Sequence, residues 1–333
     1  MSKPRVYVIG TGGSISCIGE SRLDLLNYGY ADRHLTIDEM IARIPEVNDI
    51  VDIRAEQFLN IYGGDLAPPQ WLQLARRIER IFRDDADAAG VVVTHGTSTL
   101  EETAYFLNLT VRSARPVVVT GAMRPPTGLG TDADINLFDA IRVAASPEAA
   151  GKGALVVLNN EIQAARDVTK TNTSRVETFK SGELGFLGYA DADGKVVFMR
   201  APARAHTAVS EFDIDKISAA PRVDIAYAYA GADGVAINAL VSAGCAGIVS
   251  AGLGSGSAPR AYLDALLAAH ARDVCIVMAS QVGNGRVMAK RAFTDKSFLV
   301  ADNLAPKKAR ILLMLAIAQT REPAEIQRMM LTY

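Results

Sequence analysis

The stretch VVVTHGTSTLEETAYFLNL, residues 91–109, decides the fold. Its opening is an unbroken β-branched run, which suits a strand covered on both faces in a parallel sheet. From Ser98 the pattern turns helical, because Ser98 stands three residues before Glu101 in a capping-box arrangement. A strand therefore feeds a helix through the turn HGTS. Similar buried runs recur at VYVIG (6–10), PVVVT (116–120) and ALVVL (154–158). Between them, Trp71, Leu74, Ala75, Ile78 and Phe82 draw one apolar stripe down a helix, with Trp71 as core and RRIER (76–80) as a solvated face.

Residues 199–222 carry scattered proline, alanine and charge with no sustained period, which reads as a linker. The alternation resumes at VDIAYAY (223–229), GIVSAG (247–252) and CIVMAS (275–280), and closes on the helical KKARILLMLAIAQT. The expectation is an α/β protein of two domains with mainly parallel sheets. A larger domain spans 1–198, and a smaller one spans 223–333. Length agrees: 333 residues at about 150 per domain gives two, and 49% apolar residues suffices for both cores.

Composition narrows the function classes. With 37 acids against 35 bases the formal charge is −2, so no cationic surplus is available for phosphate backbones or anionic lipid. No apolar run approaches the roughly 20 residues of a bilayer span. Neither nucleic acid nor membrane is an expected partner. Cys17, Cys245 and Cys275 are odd in number and widely spaced, which fits a reduced compartment better than a disulfide framework. The start, MSKPRVYVIG, lacks the apolar stretch of a signal peptide, so the cytoplasm is the expected setting.

In open parallel sheets, ligands sit beyond the carboxyl ends of the strands. The loops to read are therefore GTGGSIS, THGTST, TGAMRPPTG and NNEIQAARDVTKTNTS. GTGGS (10–14) is either a tight structural turn or a donor-rich ligand turn. A dinucleotide fingerprint would need glycine at position 15, where Ile15 stands, so no nucleotide cofactor is implied. No G-x-S-x-G elbow occurs, and His34, His95, His206 and His270 form no zinc-binding group. No metal or other cofactor is expected.

Thr11 and Thr97 offer two hydroxyls at one rim. A threonine hydroxyl attacks a carbonyl only when a base removes its proton. His95 reads first as a hydrogen-bonded structural residue. Lys170 is chemically better placed, since burial disfavours a lysine's charged form and lets it accept a proton. Only the company of Thr11 and Thr97 lifts Lys170 above an ordinary surface lysine.

Read together, these loops resemble the bacterial L-asparaginase (asparaginase/glutaminase) family. Its TGGTI stands here as TGGSI (11–15) and its THGTDT-EET as THGTSTLEET (94–103). GAMRP (121–125), RDVTKTNT (166–173) and TFKSG (178–182) also match, as do PARAHT and IVSAG. The resemblance implies a homotetramer built from dimers, whose sites the neighbouring chain completes. It implies Thr11 as the acylated nucleophile, Thr97 with Lys170 as the proton-transfer pair, and a loop tyrosine, Tyr30 or else Tyr28. The implied reaction is double displacement on a small-molecule carboxamide, with ammonia released and L-asparagine as default substrate. It needs no cofactor.

Departures from the family concentrate where the substrate is gripped. The aspartate after the second threonine is Ser98 here, and the serine-glutamine pair falls on Gly63 and Gly64, before Asp65, in NIYGGDL (60–66). The neighbouring chain's asparagine falls on Ser257, and no acid matches the family's glutamate near 285–295. A hydrogen bond to a charged group contributes about 1.5–3 kcal/mol, so losing two costs roughly 10²–10⁴ in transition-state binding. The alternative substrate is an amide lacking the α-amino group, its larger body filling the room left by Gly63 and Gly64. Arg286, Lys290 or Arg291 would then receive a carboxylate. A catalytically silent metabolite sensor is a third reading, which retention of Thr11, Thr97 and Lys170 disfavours.

Overall fold

The computed structural model describes residues 3–29 and 33–333. The chain divides into two compact units, Met1–Ile214 and Asp215–Tyr333. The first is built on an eight-stranded sheet of order β10-β9-β6-β5-β4-β3-β1-β2. Its strands are β1 (Arg5–Gly12), β2 (Asp52–Ile61), β3 (Ala88–Thr94), β4 (Val117–Thr120), β5 (Ala154–Leu158), β6 (Glu161–Ala164), β9 (Gly188–Ala190) and β10 (Val196–Phe198). A separate antiparallel ribbon pairs β7 (Thr169–Lys170) with β8 (Phe179–Lys180).

The run β2-β1-β3-β4-β5 is parallel, and it holds all four β-branched stretches recognised in this half of the sequence. Val91–Val93, Val117–Val119 and Leu155–Val157 are buried because helices cover both faces. Those helices are α1 (Ile37–Ala42), α2 (Pro68–Asp84), α3 (Leu100–Thr110) and α4 (Ala133–Ala145). On α2 the expected stripe is buried, and Trp71 stacks at 5.5 Å on Phe106 of α3.

Two sequence expectations change. The capping box at Ser98 is not made: α3 starts at Leu100 with Thr99 as its cap residue and no side-chain cap. The hydroxyl of Thr99 instead donates to the carbonyl of Gly63 at 2.5 Å, so the turn is held by its neighbour across the sheet. A true capping box stands at α1, where Thr36 and Glu39 bond reciprocally. The second change concerns β2, a strand outside the β-branched pattern. It is an edge strand with a half-exposed face, so its sequence DIRAEQFLNI mixes charge with apolar residues.

The stretch 199–214 packs within the first unit, with Phe212 fully buried and Ser210 bonded to the carbonyl of Leu109. The second unit has a parallel four-stranded sheet, β11-β12-β13-β14 (Val223–Tyr227, Gly247–Gly252, Cys275–Ser280, Leu299–Val300). Around it lie α5 (Val235–Ser242), α6 (Arg260–His270), the short α7 (Arg291–Thr294), α8 (Pro306–Gln319) and α9 (Pro323–Thr332). Helix α8 is buried nearly all round, which explains its unbroken apolar text. No helix among the described residues is long and apolar enough to cross a membrane.

Candidate active site

Three neighbouring strands, β3, β1 and β2, end in glycine turns that touch each other. A Cβ on Gly13 would lie 2.2 Å from the Cα of Gly96, and one on Gly63 would lie 2.7 Å from that same Cα. No side chain fits at such distances, so these backbones meet directly. Gly12 and Gly13 also hold φ of 101° and 88°, conformations that other L-residues rarely adopt. Gly12 and Gly13 of GTGGS are thus required by shape, whatever they bind.

This contact corrects the reading of Gly63. Its missing side chain opens no room for a substrate, because the backbone of Gly96 occupies the space. At Gly64, which is exposed, a Cβ would meet the ring of Tyr62 at 2.9 Å. Gly96→Ala is expected to cost about 1–3 kcal/mol of stability and to lower turnover at least tenfold, since its Cβ would stand 2.6 Å from the Cα of Gly63. Urea unfolding followed alongside ammonia release checks both halves.

Thr11 sits where the β1-β2 ladder breaks. Gly10 pairs with Gln57 and Gly12 with Ile61, so Thr11 alone faces Phe58, Leu59 and Asn60. A bulge of this kind re-aims the side chain it carries. The Thr11 hydroxyl is buried and donates to the carbonyl of Thr94 at 2.6 Å. Thr94 closes β3, and three residues later stands the buried Thr97. Lys170, delivered by the β7-β8 ribbon, places its Nζ 2.9 Å from the Thr97 hydroxyl oxygen. Thr11, Thr97 and Lys170 therefore gather at one rim of the first unit.

His95 is fully buried and structural. Its Nδ1–H donates to the carbonyl of Gly96 at 2.8 Å, so its Nε2 accepts from the hydroxyl of Thr103, also at 2.8 Å. Burial pushes its pKa down to about 4 from an ordinary 6.5, and the Gly96 bond opposes this only in part. As pH falls below 6.5 the unfolded chain takes up a proton that the folded chain refuses until about 4. The contribution is complete well above pH 6.5 and falls by about 2 kcal/mol between about pH 7 and pH 5. Asp139, raised by burial to about 6, acts in the opposite sense, losing stability as pH rises through that window. The wild-type slope is therefore read against His95→Asn: denaturant unfolding should show that the variant lacks the His95 component.

The remaining expected residues divide. Ser98 and Asp65 are exposed on the same turns as Thr97 and Gly63. Tyr28 places its hydroxyl 3.3 Å from that of Ser14, beside the glycine turn, whereas Tyr30 lies outside the described residues. Ser257 belongs to the second unit, where it is exposed and bridged to Leu253. Of the basic residues considered for a carboxylate, Arg286 is paired with the buried Asp302 and Lys290 lies over the Phe293 ring. Among the described residues no group of three His, Cys, Asp or Glu side chains could hold a metal ion.

The family description "Asparaginase, N-terminal" matches residues 5–204, and "Glutaminase/Asparaginase C-terminal domain" matches 222–330. The chain belongs to the asparaginase family. That makes it an amidohydrolase. It is similar to the "Probable L-asparaginase periplasmic" of Haemophilus influenzae, 42% identical over 98% of this chain and 92% of that protein. It is also similar to "Glutaminase-asparaginase" of Pseudomonas fluorescens, at 40% over 98% and 90% respectively. Among solved structures, a probable cytoplasmic L-asparaginase from Campylobacter jejuni superposes with a TM-score of 0.93 at 39% identity, covering 99% of this chain and all of that one. The two-domain asparaginase fold is thus shared throughout.

Proposed function

We propose that this chain hydrolyses a primary carboxamide through a threonyl acyl-enzyme. The observation that carries the reading is the 2.9 Å contact of Lys170 Nζ with the Thr97 hydroxyl, on the turn whose strand receives the Thr11 hydroxyl. Lys170 in its neutral form draws a proton through Thr97, and Thr11 Oγ1 forms a bond to the amide carbon. The carbonyl oxygen becomes an oxyanion, stabilised by backbone N–H donors of the glycine turns. As the tetrahedral adduct collapses, the C–N bond breaks, the nitrogen takes the proton, and ammonia leaves an ester on Thr11. Water then attacks the ester, giving the carboxylic acid and restoring the hydroxyl.

The names of the relatives make L-asparagine, yielding L-aspartate, the default substrate. A specific observation favours a second reading, an amide without the α-amino group: Gly63, Gly64 and Ser98 place no charged side chain where the family grips one. A cytoplasmic homotetramer, its site completed by the neighbouring chain through Ser257, remains part of the proposal. The relatives' names divide between periplasmic and cytoplasmic, and three cysteines, none joined in a disulfide, fit the reducing side.

Ammonia release from L-asparagine, L-glutamine, D-asparagine and succinamate, measured on the full chain, tests the reading. Release from any of them supports it, and release from none together with tight binding would make the chain a sensor instead.

A further inference from the structure

The backbone around Tyr62 is anchored on both sides to the loops of the candidate site. Before it, Ile61 pairs with Gly12 and its carbonyl accepts from Gly13 N–H at 3.0 Å. After it, Gly63 lies against Gly96 and offers its carbonyl to Thr99. Tyr62 is thus fixed at the mouth between the Thr11 turn and the Thr97 turn, yet its side chain is 65% exposed. The ring leans over the backbone of Gly64, where a Cβ would come within 2.9 Å. A glycine at 64 is what lets the ring lie there.

An aromatic face left open at the edge of a polar reaction centre gains most from covering flat or branched hydrocarbon. Asp65 is the one charged side chain on the Gly63–Asp65 turn, so a charged grip on an ammonium from this turn would come from it.

We propose that Tyr62 is a specificity-determining residue and that the site takes primary amides whose acyl chain carries an apolar substituent in place of the amino-acid charges. The inference rests on the amidohydrolase reading of the site for its turnover test but not for its binding test. In ammonia release by the full chain, 3-phenylpropanamide should exceed propanamide at least tenfold in kcat/KM and should also exceed L-asparagine. Tyr62→Ala should lower the ratio of the two propanamides about tenfold, Tyr62→Phe should keep it, and Asp65→Asn should leave it where it was. A ratio near one, a ratio indifferent to Tyr62→Ala, or a preference for L-asparagine abolished by Asp65→Asn overturns the proposal.

Calorimetric binding of the same amides to the Thr11→Val protein, with and without Tyr62→Ala, separates the two claims. Tighter, Tyr62-dependent binding of the phenyl compound with no ammonia from any amide would sustain the inference while removing the reaction. Ammonia release with no such preference would do the reverse.

Discussion

Thr11→Val is expected to reduce ammonia release by about 10⁴-fold or more while leaving a folded protein. Valine keeps the β-branched shape at the bulge, so the change isolates the hydroxyl from the volume. The fold loses one buried hydrogen bond, from Thr11 to the Thr94 carbonyl, which costs about 1–2 kcal/mol once the carbonyl is left unpaired. Chemistry loses its attacking atom. Residues that act as one unit give losses of the size found when a whole catalytic group is deleted, so residual turnover should sit near background. Thr11→Ser should retain a measurable fraction, since it keeps an oxygen at that point. In rapidly quenched wild-type reactions, mass spectrometry should find the acyl group on the peptide containing Thr11. Turnover in Thr11→Val within tenfold of wild type, or an acyl group on another residue, would show that the nucleophile is elsewhere.

The hydrogen bond to Thr94 also says something about timing. The Thr11 proton is held by a backbone carbonyl, so on the proposed mechanism attack requires the hydroxyl to turn away from it.

The sequence made the strand-to-helix grammar legible wherever a strand was buried on both faces, as at residues 91–94 and 154–158. It made the grouping of Thr97 with Lys170 legible because a hydroxyl and an amine fall on loops after such strands. It concealed β2, because an edge strand with one half-exposed face has no continuous β-branched run. That omission matters, since β2 is the element that carries Tyr62 and Gly63 to the rim. Gly63 itself was misleading for a related reason. A glycine in a sequence reads as empty space, and only the register of β2 beside β1 and β3 reveals that Gly96 fills it. Thr99 shows the same limit: its local pattern suggested a cap one residue earlier, whereas a partner 36 residues away claims its hydroxyl.

Lys170→Met should lower kcat about 10³-fold with little change in the affinity for an amide. General acid–base catalysis contributes roughly 10²–10⁴ in rate, and the methionine stem preserves the packing of a half-buried lysine while removing its nitrogen. Lys170→Arg is the sharper comparison. Arginine keeps a cation near the Thr97 hydroxyl but remains protonated, so it cannot accept a proton. If Lys170 acts as a base, both variants fail alike, and the wild-type enzyme's kcat falls as pH is lowered into the range where the amine is protonated. If Lys170 instead supplies only positive charge to an oxyanion, Lys170→Arg recovers much of the rate that Lys170→Met loses, and the acidic limb is absent. The 2.9 Å contact of Lys170 Nζ with the Thr97 hydroxyl serves either role, so the Lys170→Arg rate and the acidic limb decide between them.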